Sequence, residues 1–120
     1  MELIFNKKCN RQLVDYVTDH FSSSPLFATA DNRKNVHVNN ISNALCVRLH
    51  LNHPQSLKTL DPDRHFEATR LWERLKSKLR TGGLILEMEE VRFFENRNVI
   101  AFTVFSDKFP NFITKQKNTV

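Results

Sequence analysis

Glycine is nearly missing from this chain, which has two in 120 residues, and the prolines number four. Segments that stay extended or unpacked are usually rich in one or both, so this scarcity argues against low-complexity linkers and for a compact chain. Cysteine is equally sparse. Cys9 and Cys46 are far apart and have no cysteine neighbours, so neither a CxxC redox pair nor a four-cysteine zinc site can be assembled, and both read as reduced thiols. Long apolar runs are lacking too. Between Met1 and Lys8 only Leu3, Ile4 and Phe5 are apolar, and lysines follow them. That is the reverse of a secretory signal's order and too short for a membrane span, so the expectation is a cytoplasmic protein with no membrane partner.

What is present suits one small domain, expected to span residues 1–120, with 114–120 as a frayed tail. A chain of this length buries roughly two-thirds of its unfolded surface, enough for a core without disulfides or a structural metal. Eighteen Lys and Arg against thirteen Asp and Glu leave a formal charge of +5, which favours polyanions, acidic proteins or anionic surfaces as partners.

The periodicity predicts an α+β fold: an antiparallel sheet of four to five strands with two helices packed on one face. Met1 to Asn6 suits an edge strand. Asn10 suits an N-cap for a helix whose apolar positions are Leu13, Val14, Val17 and Phe21, ending in Ser22-Ser23-Ser24-Pro25. From Leu26 to Asn43 a short strand at 35–39 interrupts loop. Ala44 to Asn52 is the clearest strand, with Leu45, Val47, Leu49 and Leu51 on one face and Cys46, Arg48, His50 and Asn52 on the other. Asp61 as N-cap and Pro62 at the first position open a second helix; Ala68, Leu71, Trp72, Leu75 and Leu79 form its stripe, and Gly82-Gly83 ends it. Leu84 to Glu95 and Asn98 to Phe105 then read as a hairpin. In its first strand the phase shifts from Leu84, Leu86 and Met88 to Val91 and Phe93, which predicts a bulge near Glu89-Glu90. Its second strand is apolar on both faces, so it is either central in the sheet or covered.

Two surfaces are candidates for binding nucleic acid. The second helix concentrates Arg70, Arg74, Lys76, Lys78 and Arg80, and Arg70, Arg74 and Lys78 form an i, i+4 row suited to tracking phosphates. The same cations also complement a helix C-terminus and pair locally with Glu67 and Glu73. Arg48 and His50 share the non-core strand face, where Phe94 or Phe102 would add a stacking surface. A protein interface is the competing use of the hairpin: Phe94, Ile100, Phe102 and Val104 would supply an apolar patch, rimmed by Glu87 and Glu89, for a host protein complex or a second copy of the chain. His50, His53 and His65, near Asp61 and Asp63, contain metal-ligand types, but their spacing does not converge them. No metal and no cofactor is expected. Cys46 with a histidine is read as a packed thiol rather than a nucleophile.

The run Val47-Arg48-Leu49-His50-Leu51-Asn52-His53-Pro54, followed by a basic amphipathic helix and a hairpin, resembles the replication-initiator (relaxase-like) domain of inovirus-type phages and integrated elements. The likeness covers about half the chain, Ala44 to Phe105. It implies a mobile-element origin and a scaffold that contacts nucleic acid. The family's His-x-His metal pair would fall near Asn98-Val99-Ile100, which cannot bind a metal, and no tyrosine follows the hairpin; Tyr16 lies upstream. The reading is therefore a non-enzymatic, degenerate member that binds nucleic acid. The alternative is a small phage-type inhibitor, of the anti-CRISPR or anti-restriction kind, that docks on a host nuclease through the apolar hairpin.

Overall fold

The first helix, α1 (Arg11–Ser22), starts at the cap its sequence supplies: the Asn10 side-chain oxygen accepts a hydrogen bond from the Leu13 amide at 3.2 Å. The computed structural model describes residues 9–24, 35–51, 62–95 and 97–114. After α1 these form β1 (Val36–Ile41), β2 (Ala44–His50), α2 (Pro62–Thr81), β3 (Glu87–Phe94), β4 (Val99–Phe105) and a 3-10 turn at Phe109–Asn111. The expected edge strand at 1–6, the Asp61 cap, His53 and the tail from 115 lie outside the described residues.

The four strands make one antiparallel sheet in the order β1-β2-β4-β3. β4 is therefore central, which explains its two apolar faces. Ile100, Phe102 and Val104 point to the helices and are fully buried, while Val99, Ala101, Thr103 and Phe105 point the other way. Leu45, Val47 and Leu49 of β2 join the first set. Leu13, Val17 and Phe21 of α1 and Ala68, Leu71, Trp72, Leu75 and Leu79 of α2 close over them in a single core. At its centre the Trp72 indole stacks on Phe102, with centroids 4.7 Å apart and rings 10° from parallel.

The ends of the elements follow local chemistry. α2 ends in a Schellman motif, in which Leu84 donates to the Leu79 carbonyl and Gly83 to that of Arg80, with Gly83 at φ 101°. The register of β3 on β4 breaks between Glu87 and Glu90, the predicted bulge, with Met88 at φ 53°. Asn98, at φ 55°, tolerates the left-handed turn closing the hairpin, and its carbonyl accepts from the Leu51 amide.

Several expectations need correction. β1 runs two residues past 39, because Asn40 is wholly buried and held by hydrogen bonds rather than lying in a loop. Leu84 and Leu86 precede β3, and Met88 is exposed, because the bulge turns it from the core. Lys76 does not belong to the exposed basic face of α2; it is 4% exposed and turned toward β3.

Asn40 joins three parts of the chain. Its oxygen accepts from the Asn10 amide at 2.8 Å, and its nitrogen donates to the carbonyls of Ser42 and Ala44. Asn10 in turn donates to the carbonyls of Phe109, Pro110 and Phe112. Removing a buried amide strands its partners, so Asn40→Ala should cost about 2 kcal/mol in urea unfolding. Asn39→Ala, on the exposed face, should change stability by under about 0.5 kcal/mol.

Candidate nucleic-acid interface

Alternation along each strand decides which side chains meet on the sheet face that the helices leave uncovered. β2 contributes Cys46, Arg48 and His50, and β4 places the small Ala101 between Arg48 and Arg92 of β3. His37 of β1 lies opposite Arg48 on the far side, so a row His37, Arg48, Ala101, Arg92 crosses all four strands. Arg48 and Arg92 are both exposed and stand two strand spacings apart, about 10 Å. In the next row, toward the β3–β4 turn, His50 lies opposite Val99, and Val99 lies opposite Phe94.

Phe94 carries two guanidinium groups. Arg92 lies 5.8 Å and Arg97 5.6 Å from the ring centroid, both within cation–π range. At the other end of the row the His37 and His50 rings meet edge to face at 5.0 Å. Burial lowers the pKa of His50, and the charges of His37, Arg48 and Arg97 lower it further. The imidazole is therefore neutral at pH 7, and the fixed positive charge of this face is carried by arginine.

Arg48, His50 and Phe94 do share one face, as their pattern predicts. Phe102 does not, since it belongs to the core beneath Trp72. Ile100, Phe102 and Val104 cannot form the predicted protein interface, because α1 and α2 cover them. Of the acidic rim, Glu87 is exposed but Glu89 is committed to α2. Its carboxylate accepts from Trp72 Nε1 at 2.6 Å and from Lys76 Nζ at 2.8 and 2.7 Å. Burial raises the Glu89 pKa, but these hydrogen bonds and the charges of Lys76 and Arg80 outweigh it and leave the pKa lowered.

The helix row is real but separate. Arg70, Arg74 and Lys78 are exposed on α2, which packs against the opposite side of the sheet, so they do not share a face with Arg48 and His50. Arg70 pairs with Glu67 at 3.6 Å, and Lys78 donates to His20 Nδ1 at 3.1 Å.

His65 packs on Phe93 on the helix side, away from His50, and among the described residues no three His, Cys, Asp or Glu gather as a metal site. The Cys46 thiol, half-buried, receives the Thr103 hydroxyl at 3.9 Å. Three members of the face were not predicted: His37, Arg92 and Arg97. Arg92 shares the parity of Phe94 once the bulge is counted, so that signal was readable, whereas His37 enters only through the β1–β2 register.

Among the described residues the arrangement is a two-layer α+β one, with both helices on one sheet face and arginines around a half-buried phenylalanine on the other. No protein-family model matches this chain, and no curated protein or solved structure matches it significantly.

The histidines set a pH dependence. His20 is also depressed, first by burial and then by Lys78 and Arg74, against the opposing hydrogen bond to the Leu71 carbonyl. Because the folded state binds these protons less readily than the unfolded chain, their contribution is complete above about pH 6.5 and is lost as pH falls through the folded values. The urea midpoint should therefore be lower at pH 5.5 than at pH 7.5, and the difference should shrink in the double variant His20→Gln, His50→Gln.

Proposed function

We propose that the protein binds nucleic acid by laying an unpaired strand across the free face of its sheet. The observation that carries this reading is the Arg48 and Arg92 row beside Phe94, with Arg97 over the same ring. Arginines in the row neutralise phosphates, and the phenylalanine offers an apolar surface on which an unpaired base can stack. Ala101 at the centre keeps the row low enough for a backbone to cross it. Among the described residues no helix projects from this face, which suits a single strand better than the major groove of a duplex. The formal charge of +5 adds a favourable long-range field.

The sheet face is preferred to the α2 row because it gathers cations from β2, β3 and the β3–β4 turn, two of them on one ring; Arg70 and Arg92 each have a glutamate at 3.6 Å, so local pairing does not separate the two rows. The initiator-like order of elements supports the same reading, as a scaffold that presents a sheet to a strand. The inhibitor alternative loses its main support, since most of its apolar patch is core.

Fluorescence anisotropy with labelled oligo-dT and oligo-U tests the proposal. Affinity should fall with salt at a log–log slope of about −2 to −3, as for three or four neutralised phosphates on a single strand. Arg48→Ala with Arg92→Ala should weaken binding by about tenfold or more. Arg70→Ala with Arg74→Ala should weaken it by less than about threefold. Absence of binding at low salt, or the reverse order of the two double variants, would refute it.

A further inference from the structure

β3 is an edge strand: it pairs with β4 on one side, and no described strand pairs with the other. Its residues from Glu87 to Arg92 are exposed, and Val91 keeps 49% of its surface open although it lies on the helix side of the sheet, paired with the buried Phe102. An open edge carries unpaired backbone amides and carbonyls and is a template for another strand unless its side chains oppose one.

The side chains here do not oppose a second copy of the same strand. Around Val91 stand Glu90 on one side and Arg92 on the other, both on the free sheet face and both well exposed. When β3 meets β3 of a second copy antiparallel with Val91 opposite Val91, each Glu90 lies opposite an Arg92 of the other copy. Two equivalent ion pairs then flank a contact between two valines. Sliding the pairing by two residues either way sets Glu90 against Glu90 or Arg92 against Arg92, where like charges directly opposite are unfavourable. A slide by one would set inward against outward side chains, which the pleat forbids. Among registers within two residues of it, charge and parity therefore select this one, and it is two-fold symmetric, as an isologous dimer requires.

The backbone agrees with this register. The β3–β4 turn is closed by the Arg97 amide on the Phe94 carbonyl, and Phe94 faces Val99 as the first pair of the ladder. In an antiparallel ladder the residues whose amides and carbonyls bond the neighbouring strand alternate with those that point away. Taking Phe94 and Arg92 as bonded to β4 leaves Phe93 and Val91 with their amides and carbonyls toward the open edge. Val91 then lies at the centre of the free hydrogen-bonding row. The bulge at Glu87 to Glu90 limits the pairing, which is symmetric about Val91, to the segment Glu90 to Arg92.

We infer that the protein self-associates through antiparallel β3 edges centred on Val91, giving a dimer with one continuous sheet. Charge reversal tests it on the intact chain, by sedimentation velocity over a concentration series in buffer free of nucleic acid. Glu90→Arg alone and Arg92→Glu alone should each weaken the dimer by about tenfold or more, because each sets like charges across the axis. The double variant Glu90→Arg, Arg92→Glu should restore it, a rescue that general misfolding of the single variants would not allow. Independently, Val91→Cys in a Cys9→Ser background should give a disulfide-linked dimer under mild oxidation, while Ile85→Cys, more accessible at 70% exposure against 49% for Val91, should not. A monomer at every concentration, or a dimer indifferent to both single reversals, would overturn the inference.

Discussion

Trp72 lying flat on Phe102 is the contact on which the rest of the arrangement turns. It places α2 over the central strand and so decides which parity of β4 is core. With Phe102 inward, Ile100 and Val104 are inward too, and Val99, Ala101, Thr103 and Phe105 must face away. The same decision passes through the ladders to Arg48 on β2 and Arg92 on β3, both opposite Ala101. The free face is therefore a consequence of the core. A strand that buried its other parity would take the arginines inside, where uncompensated charge is strongly unfavourable.

Glu89 secures the edge of the same structure. The extra residue at the β3 bulge swings its carboxylate toward α2, where the Trp72 indole and the nearly buried Lys76 ammonium both donate to it. Lys76 also pairs with Glu73 at 3.0 Å, so its charge is shared between two carboxylates. Buried ion pairs add little net stability compared with apolar packing, but breaking one leaves a charge without compensation. Their use here is to fix position. Slippage of β3 on β4 would draw Glu89 away from both donors, so the register that aligns Arg92 with Ala101 is held from the helix side.

Much of this was legible in the sequence, and the failures have physical causes. The α1 cap, the α2 stripe, the parity of β2 and the bulge followed from short-range rules of capping, period and phase, which act within a few residues. What failed depended on partners distant in the chain. Ile100, Phe102 and Val104 looked like a possible interface because nothing local says that two helices will cover them. Lys76 looked like one more cation in a basic helix, and only the bulge on β3 explains its burial. Asn40 sat in an Asn-rich stretch that reads as loop, yet its amide is wholly buried because Asn10 and the β1–β2 turn satisfy it. His37 joins the candidate face only through its register with β2.

The edge and the face are not independent features. Arg92 belongs to both, standing beside Phe94 on the free face and beside the open edge with Glu90. Within one copy its pairing with Glu90, at 3.6 Å between two well-exposed side chains, is weak. Across a β3 to β3 axis the glutamate of one copy would engage the arginine of the other, and the two Phe94 clusters would lie about 20 Å apart, one on either side of the axis, on one continuous sheet. A strand crossing that axis would meet Arg48 and Arg97 of each copy, since each Arg92 is engaged by the other copy's Glu90, and the second engagement would be intramolecular once the first had formed. Affinity then rises with assembly without any new contact, through effective concentration alone. A small domain with a modest row of cations on each copy would gain most from such an arrangement, because each row alone could neutralise only a few phosphates.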